Sequence, residues 1–368
     1  VLRPDQAAAV ARKSGCIDTQ GLIHCLLACG FDPASYLDLN PDLGNASLDT
    51  TSALCHFLEF GYAERRMVPI GTFPQGLVGL GIFPVGDETY RQLLFKTILH
   101  AQVRHPGSTE TLWAGIGAEF LEIVRRIGGH PYAVFGDSHA HHYIRAEAFD
   151  AEWLAGLPLV CHGASAGGLA ISKDGAAIIR WAEAHAHAKL PIFLKFGGLD
   201  AEFRWITHRI RHRIDAFSEA QFDAYAARSV DRYGTFLDRL ASRVDPASLR
   251  ICSTFPATRP DGTWIRGYTA VHDVPPEQRA ARDAALQRVE IPDLATRTRL
   301  RGRYNALLRA MCAAKGLIYI DAFTPFLTEG GETDWRYLAI ERRTDDYYMD
   351  HDAIGARLAP TIYRHTAG

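Results

Sequence analysis

From Pro131 onward the chain alternates short apolar runs with longer stretches of helical spacing, and this alternation constrains the fold more than any other feature. Tyr132-Ala133-Val134-Phe135, Leu157 to Cys161, Pro191 to Phe196, Leu249 to Thr254 and Gly316 to Ile320 read as five buried strands. Helical spacing fills about 176–188, 215–244, 277–290, 293–314 and 353–365 between and after them. Strands that arrive one at a time, with helices between, predict a parallel sheet covered on both faces. The expected fold class is α/β: a three-layer α/β/α domain over 129–368, built on a five-stranded parallel sheet.

The preceding residues read differently. Residues 1–70 predict a small all-helical module, with Ala7 to Arg12 and Thr19 to Cys29 in helical spacing and Gly30 as a C-cap. Residues 71–128 begin as a Gly- and Pro-rich linker and continue as two packing helices, about 88–104 and 109–127. Within the module, Tyr36-Leu37-Asp38-Leu39-Asn40-Pro41-Asp42 is followed by His56-Phe57-Leu58-Glu59-Phe60-Gly61-Tyr62-Ala63-Glu64-Arg65. These stretches resemble the small helical module attached to bacterial glycosyltransferases and other polysaccharide enzymes. That resemblance implies a neighbourhood, not a reaction.

Composition excludes several classes. Forty Lys and Arg against forty-two Asp and Glu leave a net charge of −2, so no global field steers nucleic acid toward the chain. No apolar run approaches the roughly 18 residues of a spanning helix. The first residues lack the basic-then-apolar layout of a secretory signal. Seven scattered Cys, an odd number, read as buried thiols in a reducing compartment, which makes a soluble cytoplasmic protein the expectation. Oligomeric state is not legible.

Chemistry concentrates at Phe135-Gly136-Asp137-Ser138-His139, where the first strand of the sheet ends. Loops beyond the carboxyl ends of parallel strands form the binding crevice of such sheets. A Ser there has helix N-terminal N–H groups beside it, which suit an oxyanion. Asp137 and Ser138 could equally be the N-terminal cap of the next helix.

Gly136-Asp137-Ser138 after an apolar strand resembles the first signature block of the SGNH/GDSL hydrolase superfamily, in which the Ser is the nucleophile. The GDSH spelling is similar to a branch found in bacterial capsule and surface-polysaccharide loci. Later segments follow in the family's order. His162 to Leu169 stands where the family supplies an oxyanion Gly, here Gly163. Phe196-Gly197-Gly198-Leu199-Asp200 stands where it has a GxND block, and His351 precedes the last helix, where it keeps its base. The resemblance implies Ser138 as nucleophile and His351 as general base, with Asp346 or Asp350 orienting the imidazole. It also implies Asp137, Gly163, Gly198, Asp200 and Arg204 at the oxyanion and substrate site, with Asp200 anchoring the loop.

Two departures stand out. The family's oxyanion Asn falls at Leu199, and the only Asn residues are 40, 45 and 305. The family's Asp-x-x-His becomes Tyr348-Met349-Asp350-His351. Backbone N–H groups of Ser138 and Gly163 would then carry more of the oxyanion work, since one lost donor costs about 10²–10³ in rate.

Other clusters read more plainly. His139, His141 and His142 lack a matching carboxylate cluster, so no metal is expected, and no cofactor motif is present. His24, Cys25, Cys29, Cys55 and His56 read as buried core. His208 and His212, among Arg204, Arg209, Arg211 and Arg213, read as a solvated face or a basic rim for an anionic glycan. The expected function is a serine esterase that removes acyl groups, acetyl foremost, from a carbohydrate or polysaccharide through an acyl-enzyme. The alternatives are a polysaccharide O-acetyltransferase with the same Ser/His site, or a non-catalytic glycan-binding protein of the same fold.

Overall fold

The computed structural model describes residues 33–44, 52, 53, 56, 129–143, 146–149, 152–161, 163–262, 264, 265, 276–338 and 349–366. The chain forms two compact units: Val1–Pro131 with Ala146–Ala155, and Tyr132–Arg145 with Gly156–Gly368. The helices expected at 7–12, 19–29, 88–104 and 109–127, and most of the Gly- and Pro-rich stretch between, lie outside the described residues.

In the first unit, helices α1 (Pro33–Leu39) and α2 (Pro41–Gly44) are separated by Asn40 alone. Asn40 is buried, and its Nδ2 donates to Tyr36 O at 2.8 Å, which closes the carbonyl left open where α1 stops. Tyr36 is fully buried and its hydroxyl lies 3.1 Å from His56 Nδ1.

The second unit holds most of the α/β part, while residues 129–131, 146–149 and 152–155 of its first three strands belong to the first. Strand β1 (Gly129–Gly136) leads into a hairpin of β2 (Ala146–Phe149) and β3 (Glu152–Val160), followed by helix α3 (Lys173–Ala184) and strand β4 (Ile192–Lys195). Helices α4 (Trp205–His212) and α5 (Glu219–Ala241) precede β5 (Leu249–Cys252). Helices α6 (Pro276–Arg288) and α7 (Leu294–Lys315) then lead to β6 (Ile318–Ile320), and α8 (His351–Arg364) closes the chain.

The sheet order is β2-β3-β1-β4-β5-β6. Four strands run parallel, with Gly136 opposite Lys195, Leu194 opposite Ile251 and Cys252 opposite Ile320. Every residue of β4 is buried, as a central strand covered on both faces requires.

The second expected strand, 157–161, is longer than its apolar run and is the return arm of an unforeseen hairpin, with Ala146 opposite Ala155 and Phe149 opposite Glu152. Ala146-Glu147-Ala148-Phe149 has no β-branched residue, so its composition gave no strand signal. Other boundaries move by a few residues. Polar caps set several of them: Ser172 Oγ accepts from Gly175 N at α3, Asp293 from Thr296 N at α7, and Gly316 ends α7 at φ 65°.

Helix α5 buries Phe222, Ala226, Val230, Tyr233 and Leu237, spaced three and four apart, and packs against α7. Each large apolar side chain sealed this way contributes about 1.5–3 kcal/mol. The register of the parallel strands gathers their carboxyl ends along one edge. Cys161 N donates to Gly136 O at 2.8 Å, which sets the end of β3 beside the end of β1.

Candidate active site

Gly136 ends β1 where no side chain fits: a Cβ would lie 2.5 Å from Lys195 O and 2.6 Å from Ala140 Cβ. The close approach lets Asp137 N donate to Lys195 O at 3.1 Å as the chain turns. Asp137 Oδ1 accepts from His139 N at 2.9 Å and Asp137 O from Ala140 N at 2.9 Å. This local capping winds Ser138–Tyr143 into a 3₁₀ turn, where the sequence predicts an α-helix. Ser138 is its first residue and is half-buried. Its hydroxyl makes no hydrogen bond among the described residues. His139 and His142 are buried against the Phe255 ring, at 6.1 and 5.4 Å between centroids. Among the described residues no three His, Cys, Asp or Glu side chains gather as a metal site, and His141 lies outside the described side chains.

The exit from β4 is the second wall. Gly197 takes φ 105°, a conformation open to glycine, with the Tyr304 ring 2.6 Å from where a Cβ would be. Gly198 faces Asp137, whose Oδ2 would lie 3.5 Å from a Cβ there. Leu199, where the sequence resemblance placed an oxyanion Asn, is buried and offers no side-chain donor.

Asp200 is buried and fully engaged: Oδ2 accepts from Ala166 N at 2.7 Å, and Oδ1 from Gly167 N at 3.0 Å and Ser229 Oγ at 2.7 Å. It ties the loop after β3 to the end of β4, with Ser229 passing the network on to the Tyr304 hydroxyl at 3.1 Å. Asp200 opens a π-helical turn through Arg204, a form often found at functional sites. Arg204 is exposed and donates to Gly163 O at 3.2 Å, and Gly163 is exposed at φ 74°. Arg209, expected on a solvated face or a basic rim, is instead fully buried, holding Glu290 O and Asp215 O at 2.6 Å each.

Two buried charges, Lys195 and Glu202, were not singled out in the sequence. Lys195 ends β4, almost fully buried, with Nζ donating to Ser253 O at 2.6 Å and lying 4.3 Å from the Phe255 ring centroid. Burial pulls its pKa down to about 8, while Asp137 opposes the shift. Burial pushes Asp137 up to about 6 against the attraction of Lys195, and its Oδ2 has no hydrogen-bond partner.

Glu202 goes the other way. Burial raises it, but Arg301 and Arg297 outweigh burial and hold it down at about 2. It accepts from Arg297 Nη1 at 2.9 Å, Arg301 Nε at 2.9 Å and Trp264 Nε1 at 2.7 Å, and it pairs closely with Arg301 Nη2. The only signal for Lys195 was one charge inside the apolar run Pro191 to Phe196. Glu202 meets Arg297 and Arg301 across 95 and 99 residues, so spacing carried no signal of them.

The last expected block is partly described. His351 is the first residue of α8, not a residue before the helix, and its side chain and all of Asp346 lie outside what is described. Asp350 is the N-cap, its Oδ1 accepting from Ala353 N at 2.8 Å. Helix α8 packs against the 138–143 turn.

No family model matches the chain, and no curated protein matches it. Among solved structures, a Streptococcus pneumonia protein named for platelet activating factor is 13% identical, with a TM-score of 0.36, over 75% of this chain and 100% of its own. A Bacteroides fragilis protein named as an acylhydrolase is 10% identical, with a TM-score of 0.32, over 68% of this chain and 97% of its own. At such scores neither likeness bears on fold or activity. The α/β architecture with four parallel strands rests on the chain's own geometry. Among the described residues no helix is long and apolar enough to cross a membrane.

Proposed function

We propose that the protein is a serine esterase that removes acyl groups, acetyl foremost, from a carbohydrate. The observation that carries the reading is Ser138, which opens a capped 3₁₀ turn at the carboxyl end of a central parallel strand, with the closing helix α8 packed against that turn. In this reading Ser138 Oγ attacks the ester carbonyl while His351 takes its proton, giving a tetrahedral oxyanion. Backbone N–H groups of Ser138 and Gly163 hold that oxyanion, in place of the absent Asn. Collapse expels the sugar hydroxyl with the proton returned by His351, and water, deprotonated by the same imidazole, releases the acid from the acyl-enzyme.

Asp200 acts here as a positioning residue, since its oxygens are spent on Ala166, Gly167 and Ser229. Asp346 is the proposed orienter of His351. Asp350 is the second choice, because one of its oxygens already caps α8.

Labelling with a serine-directed fluorophosphonate tests the reading. Modification of Ser138, with loss of aryl acetate hydrolysis in Ser138→Ala and His351→Ala, is the expected result. Labelling elsewhere by active protein overturns it. Buried Leu199, which supplies no oxyanion donor, favours a second reading, a glycan-binding protein without turnover. Binding of oligosaccharide that Ser138→Ala leaves intact, with no labelling and no hydrolysis, selects that one. Acyl transfer to an added oligosaccharide with negligible hydrolysis selects the O-acetyltransferase.

A further inference from the structure

Helix α5 separates its charges by face. Glu219 and Asp223 pair with Arg303, Glu219 also with Arg299, and Asp238 with Lys315, all on α7. Asp231 lines a cleft on that same side with Met311 and Lys315. At 3.6 residues per turn, Tyr225, Arg228 and Arg232 fall on another face.

That face meets the segments around the candidate site. Ser229, between the two arginines, bonds Asp200, and α5 packs against the 166–168 turn after β3. Arg239, two turns below Arg232, donates to Ala170 O at 2.6 Å. Arg204 reaches in from the π turn to Gly163 O. The Tyr225 ring lies 5.3 Å from that of Trp205, the residue after Arg204. Burial and the Asp200 carboxylate raise the Tyr225 phenol, and Arg204, Arg232 and Arg228 all act on it electrostatically in the opposite direction.

Arg204, Arg228 and Arg232 are exposed, and among the described residues none of them forms an ion pair. Most of the other exposed arginines of α5 and α7 have a carboxylate or a carbonyl. Keeping three like charges together costs energy that a solvated face would not spend without return. Guanidinium forks match carboxylate and phosphate oxygens two at a time.

We infer that Arg204, Arg228 and Arg232 form an anion subsite beside the loop after β3, and that the substrate carries a carboxylate or phosphate group there. The location relative to the reacting ester rests on the esterase reading, but binding itself does not.

The test is calorimetric titration of the full chain with an oligogalacturonate, with a neutral oligosaccharide of equal length, and with inorganic phosphate. Two charge-matched double variants are compared, Arg228→Gln with Arg232→Gln, and Arg299→Gln with Arg303→Gln on the α7 side. The expected result is binding of oligogalacturonate or phosphate over the neutral sugar, weakened tenfold or more by the first pair and not by the second, and weakened by added salt. Oligogalacturonate assigns the carboxylate, and phosphate that binds without it assigns the phosphoryl group. Equal loss in both pairs reduces the effect to net charge and overturns the subsite, as does tighter binding of the neutral sugar or no binding of either anion. Failure of Ser138 to label with fluorophosphonate would remove the esterase and leave this result standing.

Discussion

Asp137 and Glu202 are both carboxylates sealed from water, yet they shift in opposite directions, because only the partners of Glu202 outweigh burial. Asp137 has one backbone donor, a lysine nearby and an oxygen without a partner, so burial dominates and its pKa rises from 3.8 to about 6. The native state therefore holds this proton more tightly than the unfolded chain does. Its contribution to stability is full below about pH 3.8 and is lost as pH rises through about 6, on the order of 3 kcal/mol. Asp137→Asn keeps an acceptor for His139 N and does not titrate. Between pH 4 and 7 its stability relative to wild type is expected to improve by about 2–3 kcal/mol, read from urea unfolding at the two pH values. Parallel pH curves would refute this. Glu202, held at about 2 by two arginines, contributes stability that is present above 4.5 and lost as pH falls through about 2. Glu202→Gln leaves Arg301 buried without an anion and Arg297 with only the exposed Asp261 carboxylate, at 2.7 Å, so a loss of about 3–5 kcal/mol is expected at pH 7. Thermal unfolding close to wild type would show that the carbonyls, with Asp261 on Arg297, satisfy the guanidinium groups.

The passage from β4 into α4 shows at element scale what this sequence makes legible and what it conceals. The β4 run was readable because six mostly apolar residues between polar stretches leave little alternative, and the GDSH turn because it follows such a run. The π turn at 200–204 was not readable, since Asp200 to Arg204 has ordinary helical composition. What bends the chain there is long-range: Asp200 bonds amides 34 and 33 residues earlier and a hydroxyl 29 residues later. The β2 arm was hidden for a related reason, since its pairing partner supplies the strand character that its own residues lack. Asp350 was open to both readings from the start, because Asp just before a helix is a cap by local rule whatever else it does. The clamp yields a prediction at its own scale. Asp200→Asn replaces one acceptor oxygen with an NH₂ group, so in either orientation a donor faces a donor. A local loss of about 1–3 kcal/mol follows, and hydrogen exchange in peptides covering 163–170 should quicken tenfold or more. Unchanged exchange would mean that the packing of α5 alone holds the loop.

At the scale of the whole molecule, a net charge of −2 conceals charges sorted by layer, with ion pairs between α5 and α7 and uncompensated arginines on the other side of α5. The thiols are distributed across layers too, which makes them reporters on how the second unit comes apart. Cys161 follows β3, Cys252 lies in β5 and Cys312 in α7, and all three are buried and unbridged. Burial pushes each of them up to about 12, so thiolate is scarce even in mildly alkaline buffer, and reaction with a thiol reagent requires opening. The β3 side of the sheet, its β5 side and the outer helix would each open separately if they were independent. Shared contacts argue otherwise: Cys252 pairs in register with Ile320, and α7, which carries Cys312, packs on α5. We therefore expect all three to resist an aromatic disulfide reagent in native buffer and to become reactive at a common urea concentration, mapped by mass spectrometry of the modified peptides. Stepwise exposure, with Cys312 reacting well before Cys252, would mean that the helical layer leaves the sheet before the sheet itself unfolds.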